Sequence, residues 1–287
     1  MDSFTKKIKI YQGGSDGFGH QFEGTLRLLS LSINQKAIYM YDYTKHFSFD
    51  HNPRDSDILK NYILEGLKYL KNVDKYYAYQ LQDQPPLLIS NNADRSFDEI
   101  INRDLNFEKN IYLYDGVGCG QGLPPNFEHV DEILPSLPLL RDAYVTHNRI
   151  LPSPTYDKKF INVCCHIRLG DAVGSRVLDT ENIYAVIRHY QKQNTKYRVI
   201  IHSDENIDHL QFDNTFLYNK TMDVINVFSD FIHADILVIN YSALSIAAHL
   251  LGDPNQTVIC PDRAGVTFKY RILDKCITCS KLLSMEN

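Results

Sequence analysis

The chain has 287 residues, 44% hydrophobic and 23% charged, the balance of a globular protein with two domains or one large one. That excludes a disordered chain, a collagen and a coiled coil, and no apolar run approaches the roughly 18 residues of a membrane span. A net charge of −5 argues against a generic polyanion binder but leaves room for a local basic pocket around one phosphate group.

The N-terminus, Met1-Asp-Ser-Phe-Thr-Lys-Lys, shows no apolar stretch of a signal peptide. Lys7 to Tyr11 is a short β-rich run, and Gln12 to His20 reads as a glycine-rich loop with Gly13, Gly14, Gly17 and Gly19. Phe22, Leu26, Leu29 and Ile33 then fall on one face of a helix, and Ala37 to Tyr41 reads as the next strand. Strand, helix and strand in that order form a βαβ unit, which belongs to a parallel sheet. Asp57 to Leu70 predicts a second helix, with Ile58, Leu59, Tyr62, Ile63, Leu67 and Leu70 on its apolar side. The segment 83–104 carries no clear period. Ile111 to Tyr114 predicts a strand, followed by a glycine-rich turn from Asp115. Leu134 to Pro154 holds Pro135, Pro138, Pro152 and Pro154, a density that reads as a linker or domain crossing.

The alternation then resumes more cleanly. Strands are predicted at Phe160 to Ile167, Tyr197 to His202, Ile236 to Asn240 and Thr257 to Cys260. Helices are predicted at Glu181 to Gln191, Met222 to His233 and Ser242 to Leu251. This pattern implies a second doubly wound α/β unit, and the sequence divides into domains 1–154 and 155–287. Six cysteines are present. Without a secretion signal a disulfide framework is not expected. Cys164 and Cys165 lie in an apolar run and read as small buried hydrophobes. Cys276 and Cys279 form a C-x-x-C, but no second pair completes a zinc site, so plain thiols are expected.

Four segments carry chemistry. His166-Ile-Arg168-Leu-Gly170-Asp171 leaves a buried strand at its carboxyl end, where open α/β sheets bind ligands. Arg168 can hold a diphosphate through two parallel N–H donors, and Gly170 lets the chain turn away closely. A plain Arg168–Asp171 ion pair fixing the turn is the alternative. Ser203-Asp204-Glu205 follows the next strand. A carboxylate there can accept the two N–H donors of a guanine edge, or Ser203 or Asp204 can cap a helix. Asn240-Tyr-Ser242-Ala-Leu-Ser245 runs from a buried strand into a small-residue helix. Its amino end suits phosphate, or Ser242 is simply its cap. Gly17-Phe-Gly19-His20-Gln21 also precedes a helix, and its glycines do not complete the G-x-G-x-x-G dinucleotide fingerprint.

These segments carry a resemblance. His166-x-Arg168-x-Gly170-Asp171 resembles the H-x-R-x-G-D motif of the fucosyltransferase superfamily that makes α1,2 and α1,6 linkages and protein O-fucose. The Gly17–Gln21 segment resembles the G-x-G-N-Q loop of the α1,2 enzymes. Ile201-His-Ser203-Asp204 resembles their S-D segment, and Ala234 to Ser245 resembles their third motif. All four stand in the family's order over about 240 residues. His20 replaces the usual Asn, and the third motif lacks the Trp-rich continuation. The resemblance implies a GT-B enzyme with two facing Rossmann-like domains, the N-terminal one on the acceptor side and the C-terminal one holding GDP-fucose. It implies an inverting reaction without metal or other cofactor, in which Arg168 neutralises the departing β-phosphate. The substrate contacts it implies are Gly17, Gly19, Gln21, His166, Arg168, Asp171, Asp204 and Ser242, with His20, Glu23 or Asp16 as base. Asp55-Ser-Asp57 is a D-x-D by letters but opens a predicted helix. The implied partners are a nucleotide sugar and a glycan acceptor, with no nucleic acid or transmembrane segment, and the expected location is cytoplasmic. Two other readings are a non-catalytic glycan- or nucleotide-binding module of the same fold and an unrelated Rossmann dehydrogenase.

Overall fold

The computed structural model describes residues 17–34, 38–42, 49, 55–76, 87–89, 112–114, 134–148, 150–151, 156–169, 180–193, 195–207, 215–219, 223–240, 242–262 and 276–285. The chain is of the α/β class and divides into two compact units, Met1–Arg149 and Ile150–Asn287. The expected strand at Lys7 to Tyr11, Gly13, Gly14 and Asp16 lie outside the described residues, as do Pro152 and Pro154.

In the first unit, helix α1 spans Phe18–Asn34 and strand β1 spans Tyr39–Asp42. The helix begins earlier than the glycines suggest, so Gly19, His20 and Gln21 form its first turn rather than a loop. Two contacts draw it back. The Phe18 and Phe22 rings, one turn apart and both buried, stack at 5.3 Å, and the Gln21 amide donates to the Gly17 carbonyl at 3.2 Å. Burying two phenylalanines offsets the roughly 1 kcal/mol by which a helical glycine is disfavoured. Phe22, Leu26 and Leu29 are buried as the period predicts. The buried hydroxyls of Thr25 and Ser30 donate to the carbonyls of Gln21 and Leu26, each at 2.8 Å, so α1 can be buried beyond its apolar stripe.

Helix α2 (Ser56–Leu67) leads to β2 (Val73–Tyr76), which pairs parallel with β1, Tyr39 opposite Val73. The D-x-D letters Asp55 to Asp57 open this helix, as expected. Ile58, expected on the apolar side, is 56% exposed. Leu59, Tyr62, Ile63 and Gly66 define the inward face, and Ile58 is turned about 100° from Leu59 around the helix. Strands β3 (Leu87–Ile89) and β4 (Tyr112–Tyr114) form a second parallel pair.

The proline-rich stretch, read as a linker or domain crossing, is helical as far as His147, and the two units divide within it, after Arg149. A 3₁₀ turn at Leu134–Ser136 runs into α3 (Leu137–Arg141) and then a π-helical turn at Asp142–His147. Pro138 occupies a first turn, where no intrahelical N–H bond is required. This run brings Tyr144, fully buried, against both Phe22 and Tyr62, with ring centroids 4.9 and 5.9 Å away. Gly66 of α2 permits that approach, because a Cβ there would lie 2.1 Å from the Tyr144 ring.

The second unit is a six-stranded parallel sheet. Its strands are β5 (Ile161–Ile167), β6 (Tyr197–Ser203), β7 (Thr215–Asn219), β8 (Ile236–Val238), β9 (Thr257–Cys260) and β10 (Ile277–Thr278). Their order across the sheet is β10-β9-β8-β5-β6-β7. Counted from β5, that is the doubly wound order 3-2-1-4-5-6. Strands β7 and β10 were not expected. Both are edge strands, and β10 has only two residues.

Two faces cover the sheet. Val163, Cys165 and Ile167 of β5 join Ile183, Val186 and Ile187 of α4 (Thr180–Lys192) in one core, which also holds Cys279 of α7 (Cys279–Ser284). The alternate residues face α5 (Val224–His233), against which α6 (Ala243–Leu251) packs. At the amino end of the sheet, Asn162 ties the strands together. Its amide groups donate to Asp235 Oδ2 at 2.7 and 3.3 Å and to the Asp157 and Phe160 carbonyls, while its Oδ1 accepts the Asp157 amide. Among the described residues no helix is long and apolar enough to cross a membrane.

The two cysteines of the C-x-x-C meet different partners. Cys279 is buried in the α4 core, where burial, with a smaller contribution from Cys279, pushes the Cys165 thiol up. Cys276 hydrogen-bonds the Cys260 side chain and holds that thiol below its ordinary pKa.

Candidate functional site

The switch point of the second sheet lies between β5 and β8, where the winding reverses direction. Pairing on this boundary stops at Cys165 opposite Val238, whereas β5 and β6 remain paired to Ile167 opposite Ser203. The carboxyl ends of β5 and β8 thus stop pairing two residues before those of β5 and β6, at the point where open α/β sheets form their ligand crevice. Three of the sequence-predicted segments leave the sheet around it: His166 to Leu169 from β5, Ser203 and Asp204 from β6, and Asn240 to Ser242 from β8.

Arg168 is the first residue beyond β5 and is half-buried. Its carbonyl accepts from Asn240 Nδ2 at 3.5 Å, and the following Leu169 amide donates to Asp204 Oδ1 at 2.7 Å. Asp171 and Gly170 lie outside the described residues, so the ion-pair alternative for Arg168 does too.

His166 does not point into the crevice. Its side chain alternates with Cys165 and Ile167 and packs against Phe231 of α5, ring centroids 5.1 Å apart, with 7% of the residue exposed. His202 lies directly opposite His166 in the β5–β6 ladder and meets the same Phe231 ring at 5.5 Å. Its Nε2 lies 3.0 Å from Asp230 Oδ2, and both side chains are almost wholly buried. Asp230 escaped the sequence reading. A carboxylate within the apolar stretch Phe228–Ile232 of a helix was the signal, since a buried carboxylate needs a partner.

Ser203 Oγ accepts the Glu205 amide at 3.2 Å, which closes a tight turn after β6. Neither Ser203 nor Asp204 caps a helix among the described residues. At β8, Ser242 stands at the N-cap position of α6 and is buried, but its hydroxyl makes no capping bond. Ser245 performs the local closure instead, its hydroxyl donating to the carbonyls of Asn240 and Ser242, each at 3.0 Å. The α6 amino end, with its favourable dipole, thus opens beside Asn240 at the crevice.

The remaining predicted residues belong to the first unit. Gly17 precedes α1, and Gly19, His20 and Gln21 occupy its first turn, with Gly19 and Gln21 buried. Glu23 is fully buried within the same helix.

No protein-family model matches the sequence, and no curated protein matches it. Among solved structures, the chain is similar to a glycosyl transferase family 9 protein from Veillonella parvula. That match has 11% identity and a TM-score of 0.45, and covers 100% of this chain and 93% of the other. It is also similar to the fucosyltransferase NodZ from Bradyrhizobium, at 12% identity and a TM-score of 0.43, over 86% of this chain and 92% of that one. A third is the ADP-heptose LPS heptosyltransferase II of E. coli, at 10% identity and a TM-score of 0.44, over 95% and 89%.

Proposed function

We propose that this chain is a GT-B glycosyltransferase that moves fucose, with inversion, from GDP-fucose to a glycan hydroxyl, and that it needs no metal. The observation that carries the reading is Arg168 at the switch point of a 3-2-1-4-5-6 sheet, within the H-x-R segment on which the family resemblance rests. In this reading the donor diphosphate lies between the carboxyl ends of β5 and β8. The Arg168 guanidinium donates two parallel N–H bonds to the β-phosphate, and the α6 amino end supplies backbone amides and dipole. As the sugar–oxygen bond breaks, charge builds on the β-phosphate oxygen, and these groups stabilise it where a metal ion otherwise would. The acceptor hydroxyl attacks the anomeric carbon from the face opposite the departing diphosphate, and its proton passes to a base. Gly17 and the first turn of α1 belong to the acceptor side, and the resemblance there favours an α1,2 linkage.

The test is a panel of GDP, GDP-fucose, UDP- and dTDP-sugars scored for thermal shift and for release of the nucleotide. A ligand at 100 times its Kd adds about 2.7 kcal/mol of stability. Stabilisation by GDP and by GDP-fucose is expected, with turnover of GDP-fucose alone. A response to a UDP- or dTDP-sugar with none to GDP would refute the guanine assignment, and binding without turnover would identify a binding module.

A further inference from the structure

We infer that Asp204 and Asn240 are positioning residues that hold the peptide group following Arg168 from both sides and so aim its guanidinium; this rests on the diphosphate-clamp reading above. It gives Asp204 a role different from the guanine contact expected of it.

The main chain explains why such a device is needed. Up to Ile167, β5 is held by its ladder bonds to β6, and to Cys165 by those to β8. One residue further on, both ladders have ended. The peptide group joining Arg168 to Leu169 has one N–H and one C=O, pointing in opposite directions across a trans peptide. Its N–H meets Asp204 Oδ1 at 2.7 Å, from the end of β6. Its C=O accepts from Asn240 Nδ2 at 3.5 Å, from the end of β8. Two side chains thus continue, for one residue, the ladder that the backbones have abandoned. The bond to Asp204 is short and, with the carboxylate ionised, charge-assisted, the stronger class of hydrogen bond.

Both anchors are themselves fixed. Asn240 is buried, and its carbonyl accepts the Ser242 amide at 2.6 Å and the Ser245 hydroxyl at 3.0 Å. The same residue therefore ties the α6 amino end to the Arg168 main chain, setting the distance between two groups proposed to grip one diphosphate. Asp204 lies within the turn closed by the Glu205 amide and the Ser203 hydroxyl. With the strand holding the N side of Arg168 and these two bonds holding its carbonyl group, both backbone bonds of its Cα are fixed, and the tetrahedral Cα leaves one direction for the side chain to leave the sheet. A clamp that must meet two phosphate oxygens at once gains most from such preorganisation, and an error of about 1 Å can cost about 100-fold in rate.

The two roles for Asp204 separate on the D204N variant. An Asn side chain still offers Oδ1 to the Leu169 amide, but against guanine its NH₂ would face two N–H donors. Wild type, D204A, D204N and N240A are compared for affinity to GDP and to guanosine, for kcat and KM with GDP-fucose, and for hydrogen exchange at the Leu169 amide. Positioning predicts that D204A loses about tenfold or more in GDP affinity and in kcat, the scale of one lost buried hydrogen bond. Guanosine affinity stays within about threefold, exchange at Leu169 quickens, and D204N restores most of each loss. N240A shows the same GDP-selective loss, and it carries the test if D204A does not fold. Guanosine and GDP affinities that fall together in D204N would overturn the inference in favour of base recognition. Unchanged kcat in both D204A and N240A would overturn it as well. A wild type that binds no GDP would overturn the functional reading itself, an outcome distinct from either of these.

Discussion

Replacing Gly66 with alanine tests the packing of the first unit, and two rules give it opposite signs. Gly66 lies inside α2, where alanine is intrinsically better than glycine by about 1 kcal/mol. Propensity alone therefore makes G66A stabilising. The structure says otherwise, because the new Cβ would meet Tyr144 Cε1 at 2.1 Å and Cδ1 at 2.2 Å, where ordinary contact starts at 3.4 Å. The ring would have to move by more than 1 Å, and it is fully buried against Phe22 and Tyr62. Tyr144 is also pinned through its carbonyl, which accepts the Tyr62 hydroxyl at 3.3 Å. Overpacking of a tight core costs about 1–3 kcal/mol, and a site hemmed in this way belongs at the upper end. After the propensity gain is subtracted, the net is about 2 kcal/mol of destabilisation. For a unit of this size that lowers Tm by about 4–8 °C. Calorimetry and urea unfolding of wild type, G66A, Y144L and the double variant measure it, and the double variant should recover stability relative to the additive sum. An unchanged or raised Tm for G66A would refute the packing argument and leave helix propensity as the governing term.

Arg168→Lys keeps the charge but not the planar fork, so it should fold normally and lose on the order of 100-fold in kcat; turnover within a few-fold of wild type would remove the clamp. Activity should survive excess EDTA, and loss on chelation with recovery on adding Mg²⁺ or Mn²⁺ would contradict the metal-free reading. Asn162→Ala deletes the side-chain bonds that join Asp157, Phe160 and Asp235 at the amino end of the sheet. It should cost about 2–3 kcal/mol in urea unfolding, with kcat of the folded fraction unchanged, since this end is opposite the crevice. Cys260, whose thiol pKa is lowered by the Cys276 bond, should be alkylated by iodoacetamide before Cys164 and Cys165, whose thiols burial pushes up. Peptide mapping over a pH series checks it, and earlier labelling of Cys164 or Cys165 would contradict their burial in the sheet.

The sequence by itself determined the α/β class, the main helices and the central strands of the second unit. Their apolar periods are long, and burial on both faces of a parallel sheet writes itself into runs such as Ile161 to Ile167. It also marked Arg168, because a guanidinium leaving an apolar strand is conspicuous. Where local signals were weak or misleading, the tertiary structure decided. Glycines and prolines read as loop at Gly17 to Gln21 and as linker after Leu134, yet stacking of Phe18 on Phe22 and insertion of Tyr144 made both helical. The face of α2 was settled by which neighbour it meets, so Ile58 stayed in water. Strand order lies beyond any local pattern. Only the folded sheet puts β8 beside β5 and so brings Asn240 to a carbonyl 72 positions away, and Asp204 to an amide 35 positions away. His202 and Asp230 are joined in the same manner, across 28 positions. Hydrogen bonds of this kind depend on distance in space, which the sequence encodes only through the fold as a whole.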